Sequence, residues 1–124
     1  MPTPTATLHA VGITIACTDA EKSDWFYREV LGARLEQHDG YGCRWYTIGS
    51  LAFNLMPNAA EHSPASLPRH AMPIFWFETD DLSAARERVI QNGIHIVDGN
   101  DQSLMVKDPD GLVIEIWQRI PHAK

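Results

Sequence analysis

"TDAEKSDWFYREVLG", residues 18–32, has a counterpart in "TDDLSAARERVIQNG", residues 79–93. Both stretches begin with Thr-Asp and end with Gly, and they lie 61 positions apart. The same offset relates two further pairs of segments: "ITIAC" (13–17) with "IFWFE" (74–78), and "GSLAFNLM" (49–56) with "DGLVIEIW" (110–117). One offset shared by three separate segments indicates an internal duplication.

The first of these stretches predicts a helix. Thr18 or Asp19 suits its N-cap, and Glu21, three residues after Thr18, would complete a capping box. Apolar residues four positions apart give the helix one buried stripe, and Gly32 suits a left-handed C-cap. The sequence therefore predicts both ends of the helix.

The second stretch predicts a matching helix. Asp80 or Asp81 suits its N-cap, and Asn92-Gly93 suits its end. The residues expected to face inward are Leu82, Ala85, Val89 and Ile90.

Strands account for the other patterned segments. They are expected at 9–17, 33–37, 42–48, 51–56, 72–78, 94–97, 102–107 and 112–118, with a turn at Asp39-Gly40. Residues 57–71 contain three prolines without periodicity, which predicts a long surface connection. We therefore expect one α+β domain of two tandem βαβββ modules, the first at about 7–56 and the second at about 72–118.

Composition limits the classes of function. A chain of 124 residues that is 44% hydrophobic has enough apolar material for the core of one domain. A formal charge of −6 argues against nucleic acid or an anionic membrane as partner. Residues 1–7 have neither a secretory signal pattern nor a membrane span. Only two cysteines are present, Cys17 and Cys43, so a cytoplasmic location is expected.

Three features carry a resemblance to a known family: the internal duplication, "DWFYREVLGARL" (24–35) and "DPDGLVIEIW" (108–117). Through these features the chain resembles the vicinal oxygen chelate superfamily. This superfamily includes glyoxalase I, extradiol dioxygenases and bleomycin resistance proteins, and the resemblance covers nearly the whole chain. It implies that each module curls into an incomplete barrel and that two such cups form a cavity. In the metal enzymes of the superfamily, ligands project from the first and fourth strands of each module. The last of these ligands is the Glu at the position of Glu115.

The other ligand positions implied by the resemblance lack strong metal ligands. They fall near Gly12, near Ile74 and at Asn54, and an amide is a weak ligand for a transition metal. Catalytic zinc or iron needs about three protein ligands, so neither a metal nor another cofactor is expected. Displaced histidines are the alternative source of ligands: His9, His38, His62, His70, His95 and His122.

Strand alternation from Asn54 and Glu115 predicts which residues line the cavity. On the first strand, Gly12, Thr14 and Ala16 would face it, leaving Val11, Ile13 and Ile15 to pack on the helix. On the fifth strand, either Phe75 and Phe77 or Ile74 and Trp76 would face it. The expected ligand-binding residues are Thr14, Trp45, Asn54, Met56, Phe75, Trp76, Glu115 and Trp117.

Glu115 has two interpretations. It is either a polar anchor in an apolar cavity or a solvated strand carboxylate, paired with Arg44 or Lys107. The first interpretation favours a cationic or amide-bearing aromatic ligand.

The leading hypothesis is therefore a metal-free small-molecule-binding protein, closest in character to the bleomycin resistance type, that sequesters an apolar or aromatic compound such as an antibiotic. The alternative is a metal-dependent glyoxalase-like lyase, isomerase or dioxygenase that uses Glu115 with displaced histidines. Glu115 could also act alone as a general base, and a third hypothesis is an interaction module with a filled cavity. The resemblance also implies a homodimer.

Overall fold

The computed structural model describes residues 6–38, 42–57 and 72–120. Several predicted features lie outside these ranges: the connection from residue 58 to residue 71, the Asp39-Gly40 turn, and His62, His70 and His122. Within them, every helix is too short or too polar to cross a lipid bilayer.

Module one forms a four-stranded sheet with one helix. Its elements are β1 (Ile13–Ala16), α1 (Ala20–Trp25), a π-helical segment that continues α1 (Phe26–Val30), β2 (Arg34–His38), β3 (Arg44–Ile48) and β4 (Leu51–Met56). The strand order is β1-β4-β3-β2, and only the β1–β4 pair is parallel.

Module two repeats this order. Its elements are β5 (Ile74–Thr79), α2 (Leu82–Gln91), β6 (Asp98–Gly99), β7 (Ser103–Lys107) and β8 (Val113–Gln118), with strand order β5-β8-β7-β6. Here the β5–β8 pair is the parallel one. The predicted α+β fold of two βαβββ modules is confirmed, and both sheets are open.

The start of α1 differs from the predicted capping box. Asp19 is the N-cap, because its Oδ1 accepts hydrogen bonds from the backbone N–H groups of Glu21 and Lys22 at 3.1 and 3.2 Å. The hydroxyl of Thr18 instead donates to Asp110 in module two, at 2.6 Å. The Asp19 alternative is therefore correct, and the capping box is wrong because Thr18 has a distant partner.

The start of α2 follows the same rule. Asp81 is the N-cap, and its Oδ1 accepts a hydrogen bond from the backbone N–H of Ala84 at 3.0 Å. Gly32 and Gly93 follow the two helical segments with φ angles of 79° and 74°. Gly32 has the predicted left-handed conformation, which residues with a Cβ rarely adopt, and Gly93 adopts the same conformation at the predicted end of α2.

Three details of the predicted packing are wrong. β1 begins at Ile13 and pairs only with β4, so Val11 and Ile13 are 73% and 42% exposed and only Ile15 is buried with the core. Ile90 is 58% exposed, because the buried side of α2 is set by Leu82 and Val89. A strand at 94–97 is absent from the described chain, because β7 pairs with β6 at Asp98–Gly99.

One hydrophobic core joins the two modules. It contains the helix-facing sides of both sheets, and its largest fully buried side chains are Tyr27, Tyr46, Phe26 and Phe53. The ring of Phe53 lies 5.2 Å from that of Tyr27 and 5.3 Å from that of Tyr46. Burial of this much aromatic surface is a large share of the driving force for folding.

Hydrogen bonds also cross between the modules. The Tyr27 hydroxyl donates to Asp108 at 2.8 Å, and the Arg88 guanidinium donates to the Glu29 carbonyl at 2.6 Å. The modules of one chain therefore pack through their helix-facing sides. The opposite sides of the sheets, called here the outer faces, do not cover each other, since Thr14 and Trp76 are both exposed.

Candidate functional site

Strand register brings Trp76, Glu115 and Met105 side by side on the outer face of module two. Glu115 in β8 lies opposite Trp76 in β5 and opposite Met105 in β7. The next position on this face pairs Glu78 with Trp117. These five residues are called the module-two face.

The register of β5 with β8 decides which residues of β5 share a face with Glu115. Trp76 and Ile74 share a face with Glu115, because paired residues in neighbouring strands point the same way. Phe75 lies on the other side, is 8% exposed, belongs to the core and contacts Phe77 with ring centroids 6.3 Å apart. The expectation that Phe75 lines the ligand site is therefore wrong.

Glu115 has two tryptophan neighbours, Trp117 in its own strand and Trp76 in the paired strand. The rings of Trp76 and Trp117 meet edge to face with centroids 6.5 Å apart, and the Trp117 indole N–H donates a hydrogen bond to Glu115. Trp76 is 68% exposed, whereas Glu115 is half-buried. An oriented carboxylate thus lies beside an open aromatic surface.

The predicted ion-pair alternatives for Glu115 are wrong in this structure. Arg44 pairs with Glu21 and Asp24 of module one, because it points to the helix side of its sheet. Lys107 lies opposite Val113, two residues before Glu115 in β8, and makes no ion pair with a described residue. The described partner of the carboxylate is the Trp117 indole.

A small hollow opens next to the carboxylate. Its volume is about 170 Å³, and its lining includes Glu115, Trp117, Met105, Ser103 and Asp98. Sites for drug-sized molecules usually measure roughly 300–1,000 Å³. The hollow alone therefore has room for only part of such a molecule.

The outer face of module one carries the other expected residues. Register places Asn54 in β4 between Thr14 in β1 and Trp45 in β3, and it places Met56 beside Ala16. Asn54 is 7% exposed, and its Oδ1 has no hydrogen-bond partner among the residues that the structure describes. Such an orphaned buried acceptor is costly and is suited to a donor that arrives with a ligand.

The outer faces do not fit a catalytic transition metal. A Cβ at Gly12 would come within 2.7 Å of the Ala52 carbonyl oxygen and 3.1 Å of the Trp45 ring, so no side chain fits at that implied ligand position. The strand neighbours of Glu115 are an indole and a thioether, neither of which replaces imidazole or carboxylate. Across residues 6–38, 42–57 and 72–120, no three His, Cys, Asp or Glu side chains form a metal-binding group.

Sequence reasoning missed Glu78, Met105 and Asp98. Glu78 follows from alternation once Trp76 is known to face outward. Met105 and Asp98 depend on the register of β7 with β8 and on the β6–β7 turn. These contacts are not visible in any local pattern.

Comparisons with known proteins agree with this architecture. The sequence model of the "Glyoxalase/Bleomycin resistance protein/Dioxygenase superfamily" matches residues 8–116. No match was found among curated proteins.

Solved structures share the fold over nearly the whole chain. A mobile-metagenome protein of V. pseudocholerae is 27% identical with a TM-score of 0.72, covering 96% of this chain and 100% of that one. TnmS3, an antibiotic-binding protein from Streptomyces sp. CB03234, is 23% identical with a TM-score of 0.69, covering 94% and 100%. A lactoylglutathione lyase from Agrobacterium tumefaciens is 19% identical with a TM-score of 0.66, covering 90% and 95%.

The duplicated βαβββ topology, the Asp-Pro-Asp-Gly turn before β8 and the matched span lead to one assignment. The chain belongs to the glyoxalase/bleomycin resistance protein/dioxygenase superfamily.

Proposed function

We propose that this protein binds a cationic aromatic compound on the module-two face, without a metal, and thereby sequesters it. The observation that carries the proposal is the Glu115 carboxylate, which the Trp117 indole orients beside the exposed ring of Trp76. A flat cation would stack on the indole and place its charge near the carboxylate.

Two physical effects favour a cation over a neutral compound. An ammonium or pyridinium group over an indole face is attracted by about 0.5–2 kcal/mol. Glu115 and Glu78 on this face, with Asp98 in the adjoining hollow, add negative potential. The overall charge of −6 acts in the same direction at longer range.

The donor set supports binding without metal chemistry. Glu115 is the only strong ligand at the implied metal positions, so we propose that it contacts the organic ligand directly. TnmS3 shares this fold and is an antibiotic-binding protein, which is compatible with sequestration as the role of this chain.

We also propose that the site is completed in a homodimer. β1 and β5 are edge strands, and exposed apolar side chains lie on or just before them: Leu8, Val11, Ile13, Ile74 and Trp76. A second copy that covers these edges would bury the apolar surface and close the half-site. With only two cysteines in the chain, we propose the cytoplasm as the location.

Tryptophan quenching by N-methylquinolinium, with neutral quinoline as the matched probe, tests the function. We expect the cation to bind more tightly, and Glu115→Gln to weaken it about tenfold, or about 1.4 kcal/mol, without affecting quinoline. Glu87→Gln is the control, because it removes one exposed carboxylate from α2. Equal affinity for both probes, or equal losses in both variants, would contradict the proposal.

Thermal unfolding with zinc, nickel, manganese or iron(II) tests the metal-free mode. A metal ion that binds only the folded protein would raise the melting temperature by mass action. Because we propose that no metal binds, we expect the melting temperature to stay unchanged. If a metal raises the melting temperature by more than a few degrees and Glu115→Gln abolishes this rise, metal-free binding is refuted. That result would not contradict an aromatic ligand site on the same face.

A further inference from the structure

A second groove lies between α1 and the segments that follow α2 and β7. It measures about 570 Å³, and its main lining residues are Lys22, Trp25, Phe26, Ile94, Val97 and Lys107. This volume is within the range of roughly 300–1,000 Å³ that is typical of small-molecule sites. The groove, called here the α1 groove, shares no residue with the module-two face.

The α1 groove collects positive charge in an acidic protein. Lys22 comes from the α1 wall and Lys107 from the end of β7, and these are two of the three lysines in the chain. Both are exposed, and neither makes an ion pair with a described residue. His95 adds an exposed imidazole to the same lining.

Among the described lining residues, Asp108 is the one with a carboxylate, and this carboxylate accepts its hydrogen bonds from inside the protein. Asp108 is buried and accepts hydrogen bonds from the Tyr27 hydroxyl and from the backbone N–H groups of Asp110 and Leu112, at 2.8 to 2.9 Å. Its charge is therefore engaged inside the protein. The ammonium groups of Lys22 and Lys107 remain available to an anion from solvent.

The groove also presents apolar surface to solvent. Trp25 is 40% exposed and Val97 is 41% exposed, whereas the adjacent Phe26 is fully buried. An indole that is open to solvent in this groove offers a flat contact for an aromatic ring. Apolar walls with a few polar groups at fixed places are the usual composition of a ligand site.

We propose that the α1 groove binds a small amphipathic anion, an aromatic ring system that carries one carboxylate or sulfonate. The ring contacts Trp25 and Val97, and the anionic group lies between Lys22 and Lys107. This site has the opposite charge preference to the module-two face, so the two sites take different ligands.

Titration with anilinonaphthalene sulfonate, followed by the fluorescence of the dye, tests this site. We expect Lys22→Gln and Lys107→Gln each to weaken binding about threefold, because an exposed charge pair contributes modestly. Trp25→Ala is expected to weaken it about tenfold through lost aromatic contact. Arg34→Gln is the control, since it removes one exposed cation from β2.

A competition experiment separates the contribution of the anionic group to binding from that of the aromatic ring. Naphthoate is expected to displace the dye at least threefold more effectively than neutral naphthylmethanol, and this advantage is expected to shrink in high salt. Trp76→Ala, on the module-two face, is expected to leave dye binding unchanged. Circular dichroism of each variant confirms that the fold is intact.

Several outcomes would overturn the proposal. In the first, Trp76→Ala abolishes dye binding and Trp25→Ala does not. The dye would then occupy the module-two face. Another is a loss in Arg34→Gln as large as in the lysine variants. A third is that naphthoate and naphthylmethanol displace the dye equally well. A fourth is that an acidic peptide binds the groove and small aromatic anions do not.

Discussion

Asp108 and Asp110 connect the two modules at the scale of single residues. Asp108 accepts two backbone N–H groups through Oδ1 and the Tyr27 hydroxyl through Oδ2. Asp110 accepts the backbone N–H and the hydroxyl of Thr18, at 3.1 and 2.6 Å. The turn before β8 therefore also fixes the position of module one.

The titration of Asp108 gives a prediction about stability and pH. Burial raises the pKa of Asp108 above its ordinary value of 3.8, and hydrogen bonds from Tyr27, Leu112 and Asp110 offset part of this rise. A raised folded pKa means that the stability contributed by this group is complete below the unfolded pKa and is lost as pH rises through the folded pKa. Asp108→Asn removes this dependence, and its amide can still accept from the turn and donate to Tyr27.

We therefore expect the unfolding free energy of the wild type minus that of Asp108→Asn to fall as the pH rises above 3.8, the ordinary pKa of this carboxyl group. Urea denaturation at each pH measures this difference. Tyr27→Phe is the companion variant, expected to lose about 2 kcal/mol at neutral pH because it leaves one buried carboxylate oxygen without its donor. A difference between wild type and Asp108→Asn that stays constant with pH would contradict the burial argument.

At the scale of elements, each helix begins at one acidic side chain. Asp19 and Asp81 each accept backbone N–H groups of the first turn, and a left-handed glycine follows each helical segment. These are local interactions between residues close in sequence. The same local signals occur in both halves, which is why both modules have the same order of elements.

The N-cap of α2 gives a prediction with a close control. Asp81→Ala is expected to lower the unfolding free energy by about 1 kcal/mol, because the N–H of Ala84 loses its acceptor. Asp80→Ala removes the neighbouring carboxylate, for which the structure shows no capping bond, so little change is expected. Thermal or urea unfolding measures both variants, and equal losses would show that general charge effects outweigh the cap.

Local patterns could predict the element order, and they could not predict the register. The caps and the glycines lie within short windows and recur in both halves, so the helices and most strands follow from the sequence. The outward side of β5 depends on its pairing with β8, and Thr18 bonds to a residue 92 positions away. For this reason Phe75 was expected in the ligand site, and Glu78 was not.

At the scale of the whole molecule, one chain carries two outer faces that point away from the shared core. The outer face of module one, called here the module-one face, has the Asn54 Oδ1 that lacks a partner among the described residues, and the module-two face has Glu115 with its indoles. Strand alternation could predict which residues of β4 and of β8 share a face, and it left the side of β5 open. It could not predict that the modules pack through their helix-facing sides, because that arrangement depends on contacts between distant segments such as Tyr27 and Asp108.

If a second copy closes each site, the module-one face of one chain lies over the module-two face of its partner. Two variants with defects on different faces then become complementary. Thr14→Arg adds a cation on the exposed module-one face, which repels a cationic ligand, and Glu115→Ala removes the carboxylate from the module-two face. Each variant alone is expected to bind N-methylquinolinium at least about tenfold more weakly than wild type.

Co-refolding the two variants in equal amounts is expected to restore wild-type affinity in about one quarter of the sites, because half of the dimers are mixed and one site in each mixed dimer carries neither defect. Calorimetry measures the fraction of tight sites, and sedimentation confirms that each variant still forms dimers. If each site used both faces of a single chain, every site in the mixture would carry one defect. The absence of tight sites would therefore contradict a shared site without weakening the evidence for the aromatic and acidic face itself.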